Sequence, residues 1–208
     1  MDKILIIYQA DLRGKSGFLF FYDKKLFSYV FELIKVVLIS LAIIIPIRYY
    51  LIQPFYVKGA SMEPNFYDRE YLIIDEISYR FHEPARGDIV VFRYPRNPEE
   101  YFIKRVIGLP GEKVQIKDGA IYIYNQAQPD GLKLAEAYLL ADTLTYGLSG
   151  AAVALGDGEY YVLGDNRNAS KDSRSFGPVD KKFITGRVLL RGWPFNRVGV
   201  FSAPEYSY

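Results

Sequence analysis

The chain contains no cysteine and only one histidine, His82, among its 208 residues. The lack of cysteine excludes disulfides, thiolate zinc sites, iron–sulfur clusters and a cysteine nucleophile. With one histidine, a multi-histidine metal site is impossible, and a Ser-His-Asp triad would have to use His82. The formal net charge of +2 is too small to indicate nucleic-acid binding. We therefore expect no metal, no cofactor and no nucleic-acid partner.

A long apolar run lies near the start of the chain. Residues 36–47, VVLISLAIIIPI, carry no charge, and up to residue 55 only Arg48 interrupts the run. A membrane-spanning helix needs roughly 20 mostly apolar residues. Lys35 and Arg48 can extend their charges to opposite interfaces of the bilayer, where Tyr49 and Tyr50 would join an aromatic belt. The pattern predicts a membrane anchor.

Two other interpretations of this run are weaker. A cleaved signal peptide ends in small residues, whereas bulky RYYLIQPFYV follows here. A buried core helix is compatible with the short uncharged run and with Pro46. It explains the charged and aromatic residues on either side of the run less well than a membrane anchor does. The six basic residues among the first 35 favour a cytoplasmic N-terminus. We expect a cytoplasmic segment at 1–30, a single-pass anchor at 31–52 and an extracytoplasmic domain at 53–208, in the plasma membrane.

The region after the anchor is mainly β in pattern. Short β-branched and aromatic runs alternate with turn residues, and Asp118-Gly119 indicates a hairpin. A weak amphipathic helix is expected near 132–142, a surface loop at 143–158, and a variable insertion or loop over 125–158. The fold class is therefore an antiparallel β-sheet domain behind one transmembrane helix. The predicted strands are 71–77, 88–94, 101–108, 113–124 as a hairpin, 159–164 and 184–190.

Ser61, within GASMEP, is a candidate nucleophile. Small residues around it allow close backbone approach, and Pro64 prevents a strand from continuing. An ordinary strand-to-turn junction has the same composition, and the motif taken alone favours that interpretation.

Lys104 is a candidate general base. In an alternating strand, Phe102, Lys104 and Val106 share one face and Arg105 lies on the other. Burial among apolar side chains lowers the pKa of a lysine, and a neutral lysine can accept a proton near neutral pH. The alternative is an edge strand whose lysine opposes aggregation.

A polar segment, GDNRNASKDSR at residues 164–174, follows the strand-like run EYYVLG. It could be a solvated turn, a calcium loop or a polar scaffold. Calcium is disfavoured because Arg167, Lys171 and Arg174 would repel a cation and no bidentate Glu stands at the spacing of an EF-hand.

In this order after an anchor, SMEP, RGDIVVF, IKRVIGLPGE and GDNRNASKDSR resemble the bacterial type I signal peptidase family. The resemblance spans essentially residues 36–201. It implies the fold of that family, a membrane-bound Ser-Lys endopeptidase, and the removal of signal peptides from exported pre-proteins after an Ala-X-Ala-like site. Its expected partners are signal peptides and the lipid bilayer.

The resemblance also implies residue roles. Ser61 matches the nucleophile, Lys104 the general base and Ser170 the serine that hydrogen-bonds and positions the lysine. Asn168 stands where many members have Asp, and Gly59 where some have an oxyanion-stabilising serine. The implied supporting residues are Asp172 and Arg174 as an ion pair, with Gly164, Asp165 and Asn166 at the floor of the site. The implied substrate pockets are formed by Phe55, Val57, Met62 and Ile103.

Two alternatives differ in activity from this interpretation. A repressor-type self-cleaving Ser-Lys protease would lack the anchor and the GDNR segment. A catalytically inactive membrane-anchored domain that binds extended peptides would not need both Ser61 and Lys104. The sequence does not determine the preferred pre-proteins or the oligomeric state.

Overall fold

The computed structural model describes residues 24–46, 52–148, 150–204 and 206. The chain separates into two compact units, Met1–Ile44 and Ile45–Tyr208. Most of the expected cytoplasmic segment, residues 1–23, and residues 47–51 of the expected anchor lie outside the described residues.

Most of helix α1, Lys24–Pro46, lies in the first unit. Within it, Phe27–Ile45 is a run of 19 residues with a mean hydropathy of 2.3, and none of the run is buried by the protein. At about 1.5 Å per residue, a helix of this length matches the roughly 30 Å hydrocarbon core of a bilayer. By length and composition α1 can cross a membrane, and it begins before the residue 31 expected from the sequence.

The second unit is an antiparallel β domain. Its described residues also form two short helices, α2 (Ser78–Phe81) and α3 (Ser173–Phe176). The described strands are β1 (Ile52–Tyr56), β2 (Tyr71–Asp75), β3 (Ile89–Tyr94), β4 (Asn97–Gly108), β5 (Lys113–Lys117), β6 (Ala120–Tyr124), β7 (Leu132–Lys133), β8 (Val153–Ala154), β9 (Glu159–Leu163), β10 (Val179–Asp180), β11 (Ile184–Trp193) and β12 (Gly199–Val200).

The larger sheet has the order β1-β2-β11-β3-β4-β9-β10, with β12 paired to β11. The smaller sheet has the order β7-β6-β5-β8 and contains the expected hairpin at Asp118-Gly119. Strand β4 lies between β3 and β9, with Lys104 opposite Val90 and Arg105 opposite Leu163. Because β9 runs directly into the polar segment 164–174, this pairing places that segment beside Lys104.

The expected helix near 132–142 is wrong. Leu134 is buried, and its backbone N–H donates to the carbonyl of Ile121, which extends the pairing beside β6. The segment 143–158 is also more than a surface loop, since it contributes β8 and the buried Leu155, whose N–H bonds to Glu112. Apolar residues of this region therefore complete the core of the smaller sheet.

Candidate active site

Ser61 lies in the segment between β1 and β2. Two fully buried side chains close to it, Met62 and Phe66, anchor the segment in the core. Backbone bonds from Val57 to Glu70 and from Arg69 to Val57 close its base. The half-buried Ser61 is thus held on a fixed turn at the end of a strand.

The structure brings Lys104 and Ser61 together. Lys104 Nζ lies 2.6 Å from Ser61 Oγ and donates a second bond of 2.7 Å to the carbonyl of Ile103. The lysine is only 3% exposed, although it is a charged residue type. Two hydrogen bonds therefore fix the amine against the hydroxyl in a largely dry position.

Burial lowers the pKa of Lys104. Loss of hydration lowers the pKa of its ammonium from 10.5 to about 8, while the carboxylates of Asp172 and Asp165 act in the opposite direction. A group with a pKa near 8 is neutral in about a tenth of molecules at pH 7, against about one in three thousand for an ordinary lysine. The site thus contains a basic amine that is available near neutral pH.

Gly164 and Asn166 form the floor beneath the serine. A Cβ on Gly164 would overlap Ser170 Oγ and the backbone oxygen of Ser61, so only glycine fits. The Asn166 N–H donates to the Ser61 carbonyl at 3.0 Å, and its side-chain amide donates to Ala60, also at 3.0 Å. These contacts fix the backbone on which Ser61 is carried.

Asp165 forms a buried ion pair with Arg105. The carboxylate accepts two bonds, from Arg105 Nε at 2.8 Å and from Nη2 at 2.6 Å, and a third from Asn65 at 2.8 Å. The guanidinium also stacks 3.9 Å from the centroid of the Tyr138 ring. This network connects β4, the serine segment and the floor.

A second ion pair joins Asp172 to Arg174. Both carboxylate oxygens accept from the guanidinium at 2.8 Å, and one also accepts from the Gly164 N–H at 3.1 Å. Asp172 also caps α3 by accepting from the Arg174 N–H. Its carboxylate thus links the start of the polar segment to its end.

Ser170 lies against Gly164 in the same site. Its hydroxyl oxygen is buried, and it has no hydrogen-bond partner among the described residues. The hydrogen bond to Lys104 implied by the resemblance is therefore not formed in this structure, where the lysine bonds to Ser61 and Ile103 instead.

A cleft of about 570 Å³ opens beside the dyad of Ser61 and Lys104. Phe55, Val57 and Ile103 line it, as expected, but Met62 does not, because its side chain is 1% exposed and packs in the core. Residues not anticipated from the sequence also contribute to its walls. They are Tyr56, Lys58, Leu72, Val91, Glu100, Tyr101, Phe102 and Lys171.

The two departures from the family pattern are both exposed. Gly59 adopts a positive φ of 90° and donates its N–H to Asp68 at 2.7 Å. Asn168 is on the surface of the polar segment. In the described part of the chain, the Ser61 N–H donates no hydrogen bond. That backbone donor is therefore free to bind a ligand oxygen.

The single histidine is not among the residues that line the cleft. His82 is exposed at the end of α2, where Nδ1 lies 3.3 Å from the carbonyl of Ser78. Among the residues that the structure describes, no group of three acidic or histidine side chains could hold a metal ion.

Two features of the site were not expected from the sequence. They are the contacts of Asn65 and the ion pair between Asp165 and Arg105. A signal for Arg105 was present, because a second basic residue lies on the opposite face of an otherwise apolar strand. No local pattern indicated Asn65. Its hydrogen-bond partners, Asp165 and Tyr138, lie 100 and 73 residues away in the sequence.

Comparison with known proteins extends these observations. A family model described as signal peptidase, peptidase S26, matches residues 30–193. A probable signal peptidase I-2 of Synechocystis sp. is 38% identical over 177 residues, which cover 82% of this chain and 77% of that protein. Signal peptidase I of Bacillus licheniformis is 36% identical over 177 residues, covering 81% and 91%.

A crystal structure of a signal peptidase I from Enterococcus faecalis V583 is 34% identical, with a TM-score of 0.42 over 51% of this chain and 97% of that chain. The family match covers most of the β domain and most of α1, including both members of the dyad. The chain therefore belongs to the signal peptidase family, peptidase S26.

Proposed function

We propose that this chain is a signal peptidase I, a membrane-bound serine endopeptidase that removes N-terminal signal peptides from exported pre-proteins. Membership of the family supports the peptidase activity and the class of substrate. The single observation that carries the chemistry is the 2.6 Å contact of Lys104 Nζ with Ser61 Oγ at the edge of an apolar cleft.

Ser61 is the nucleophile and neutral Lys104 the general base in this proposal. The amine accepts the hydroxyl proton as Oγ attacks the carbonyl carbon of the scissile peptide. The resulting ammonium then protonates the leaving amine, and the mature protein departs. Water hydrolyses the remaining ester of Ser61 with the lysine again as base, which restores both side chains.

The Ser61 N–H is proposed to stabilise the oxyanion. It has no other hydrogen bond among the described residues, and no serine hydroxyl is available at Gly59. Backbone donors of this kind stabilise negative charge that develops in the transition state. Asn166 contributes through its side-chain amide, which donates to the Ala60 carbonyl at 3.0 Å and so holds the peptide unit that carries the Ser61 N–H.

The supporting roles of the polar segment remain part of the proposal. Asp172 and Arg174 hold Gly164 in place, and Asp165 holds β4 through Arg105. Ser170 has a buried hydroxyl without a partner among the described residues, packed against Gly164, and its proposed role is to position Lys104. No observation favours the catalytically inactive alternative, since both members of the dyad are present and in contact.

The cleft suits an extended peptide with small side chains at positions −1 and −3. These two side chains point to the same side of an extended chain, and the pockets proposed for them are lined by the apolar side chains of Phe55, Val57 and Ile103. Wild-type enzyme should therefore cut pre-proteins after Ala-X-Ala. Mass spectrometry of the mature N-terminus, with a pre-protein library varied at −1 and −3, measures this directly.

Val57→Ala and Ile103→Ala should enlarge these pockets. We expect Val or Leu at −1 or −3 to gain about tenfold in kcat/KM relative to Ala, the effect of one or two methylene groups in an apolar pocket. Val114→Ala, in the core of the smaller sheet, is the matched control. An unchanged Ala-X-Ala preference in both cleft variants would refute the pocket assignment and leave the dyad intact.

The membrane topology is proposed from the sequence. The apolar run moves the start of the proposed anchor from residue 31 to Phe27. Residues 1–26 would then be cytoplasmic, residues 27–52 would form the anchor and residues 53–208 would be extracytoplasmic. Protease added outside intact spheroplasts should digest the β domain and spare a short N-terminal fragment. Digestion of the domain only after the cells are lysed would reverse the proposed orientation.

A further inference from the structure

The cleft contains charged residues that the proposed reaction does not use. Besides Lys104, its wall includes Lys58, Glu100 and Lys171. Glu100 accepts a hydrogen bond of 2.8 Å from the side-chain amide of Asn97. Among the described residues, no carboxylate forms an ion pair with Lys58 or Lys171.

Lys171 is held near the dyad by aromatic rings. Its Nζ lies 4.2 Å from the centroid of the Tyr94 ring and 5.7 Å from that of Phe102. Lys104 Nζ lies 5.5 Å from the same Phe102 ring. Ring contacts position an ammonium group without neutralising its charge. A positive charge is therefore maintained close to the reacting atoms.

The acidic residue next to Lys171 does not compensate this charge. Asp172 is fully buried, and both of its oxygens bond to Arg174 at 2.8 Å. Lys58 follows β1 on another part of the cleft wall and is exposed. Lys58 and Lys171 outnumber Glu100 on the cleft wall, and Lys104 is itself protonated in most molecules at pH 7, so the open part of the cleft is electropositive.

We propose that Lys171, assisted by Lys58, selects pre-proteins that carry an acidic side chain close to the scissile bond. This inference rests on the proposed function and adds a charge preference to it. The selected position is not −1 or −3, whose pockets are apolar, but one of the side chains that an extended substrate presents elsewhere, such as −2 or the first residues of the mature protein.

The test uses the full chain in detergent and matched pre-proteins with a constant Ala-X-Ala site. One position at a time, at −2 and from +1 to +3, is made Glu, Gln or Lys. Wild type should prefer Glu over Gln by about threefold to tenfold in kcat/KM at one or more positions, as for a partly screened ion pair. The preference should weaken as salt rises from about 0.05 M to about 0.5 M, because screening shortens the reach of the charge.

Lys171→Gln should reduce the Glu-to-Gln ratio to about one, and Lys171→Glu should favour Lys instead. Lys113→Gln removes an exposed lysine from β5 and should keep the wild-type ratio. A purely structural role for Lys171 would lower cleavage of all three substrates equally, leaving the ratio unchanged, and that result would overturn the inference.

Two further outcomes separate this inference from the proposed function. Ser61-dependent cleavage with no charge preference in wild type would leave the peptidase assignment standing and refute the role of Lys171. Absence of cleavage at any Ala-X-Ala site by wild-type enzyme would overturn the proposed function and this inference with it.

Discussion

Replacing Ser61 with alanine should abolish cleavage of a pre-protein, with kcat/KM falling at least about 10³-fold. The hydroxyl 2.6 Å from Lys104 Nζ is the only proposed nucleophile, and loss of one member of a catalytic dyad removes nearly all of its effect. Lys104→Ala should be as inactive, because no other base contacts Ser61 Oγ among the described residues. Lys104→Arg should also fail, since a guanidinium stays protonated.

The stability of the folded variants is the control, because it separates a loss of catalysis from a loss of folding. The pKa of Lys104 is lower in the folded state than in the unfolded chain, so the protonated lysine destabilises the fold. This cost is complete below a pH of about 8 and disappears as the pH rises to the unfolded pKa of about 10.4. Lys104→Met should therefore be inactive and yet at least as stable as wild type at pH 7. Substantial cleavage by Ser61→Ala or Lys104→Met, with the product cut at the same bond, would refute the dyad.

Removing Asp165 should destabilise the β domain by about 3–5 kcal/mol, since it leaves the guanidinium of Arg105 buried without its partner. The two side chains are 0% and 5% exposed, and Asn65 would also lose its bond to the carboxylate. Asp165→Ala should consequently shift the urea midpoint of the full chain in detergent well below that of wild type. Activity should fall as well, because Arg105 adjoins Lys104 on β4.

Asp180→Ala is the matched control for this prediction. Its ion pair with Lys182 joins side chains that are 44% and 68% exposed, so its loss should change stability by less than about 1 kcal/mol. Equal destabilisation by the two variants would mean that the buried pair contributes no more to folding than a surface pair, and would contradict the role of Asp165 in holding β4.

The alternation of residue types along the sequence was sufficient to predict β4, the strand that carries Lys104. The alternation around Lys104 placed it and Arg105 on opposite faces of β4, and the structure buries both, one against Ser61 and the other against Asp165. The polar segment was predicted because it follows a strand-like run, and pairing of that strand with β4 brings the segment into the site.

Long-range packing decided the features that could not be predicted. Met62 was expected in the cleft from the resemblance to the family, but the turn directs it into the core beside Phe66. The segment 132–142 has a weak helical pattern, yet the open edge of β6 captures its first residues as β7. The Ser170 hydroxyl was expected to bond to Lys104, but it has no partner among the described residues, because Lys104 bonds to Ser61 and Ile103 instead.

The pH dependence of kcat/KM for pre-protein cleavage tests the central claim most directly, because it reports the pKa of the base in the free enzyme. Since Lys104 acts when neutral, the rate should rise about tenfold per pH unit, level off above a pKa of about 8 and keep this profile in His82→Gln. A limb near the ordinary lysine value of about 10.4 would contradict the desolvated base. A profile that changes in His82→Gln would contradict the Ser-Lys dyad itself.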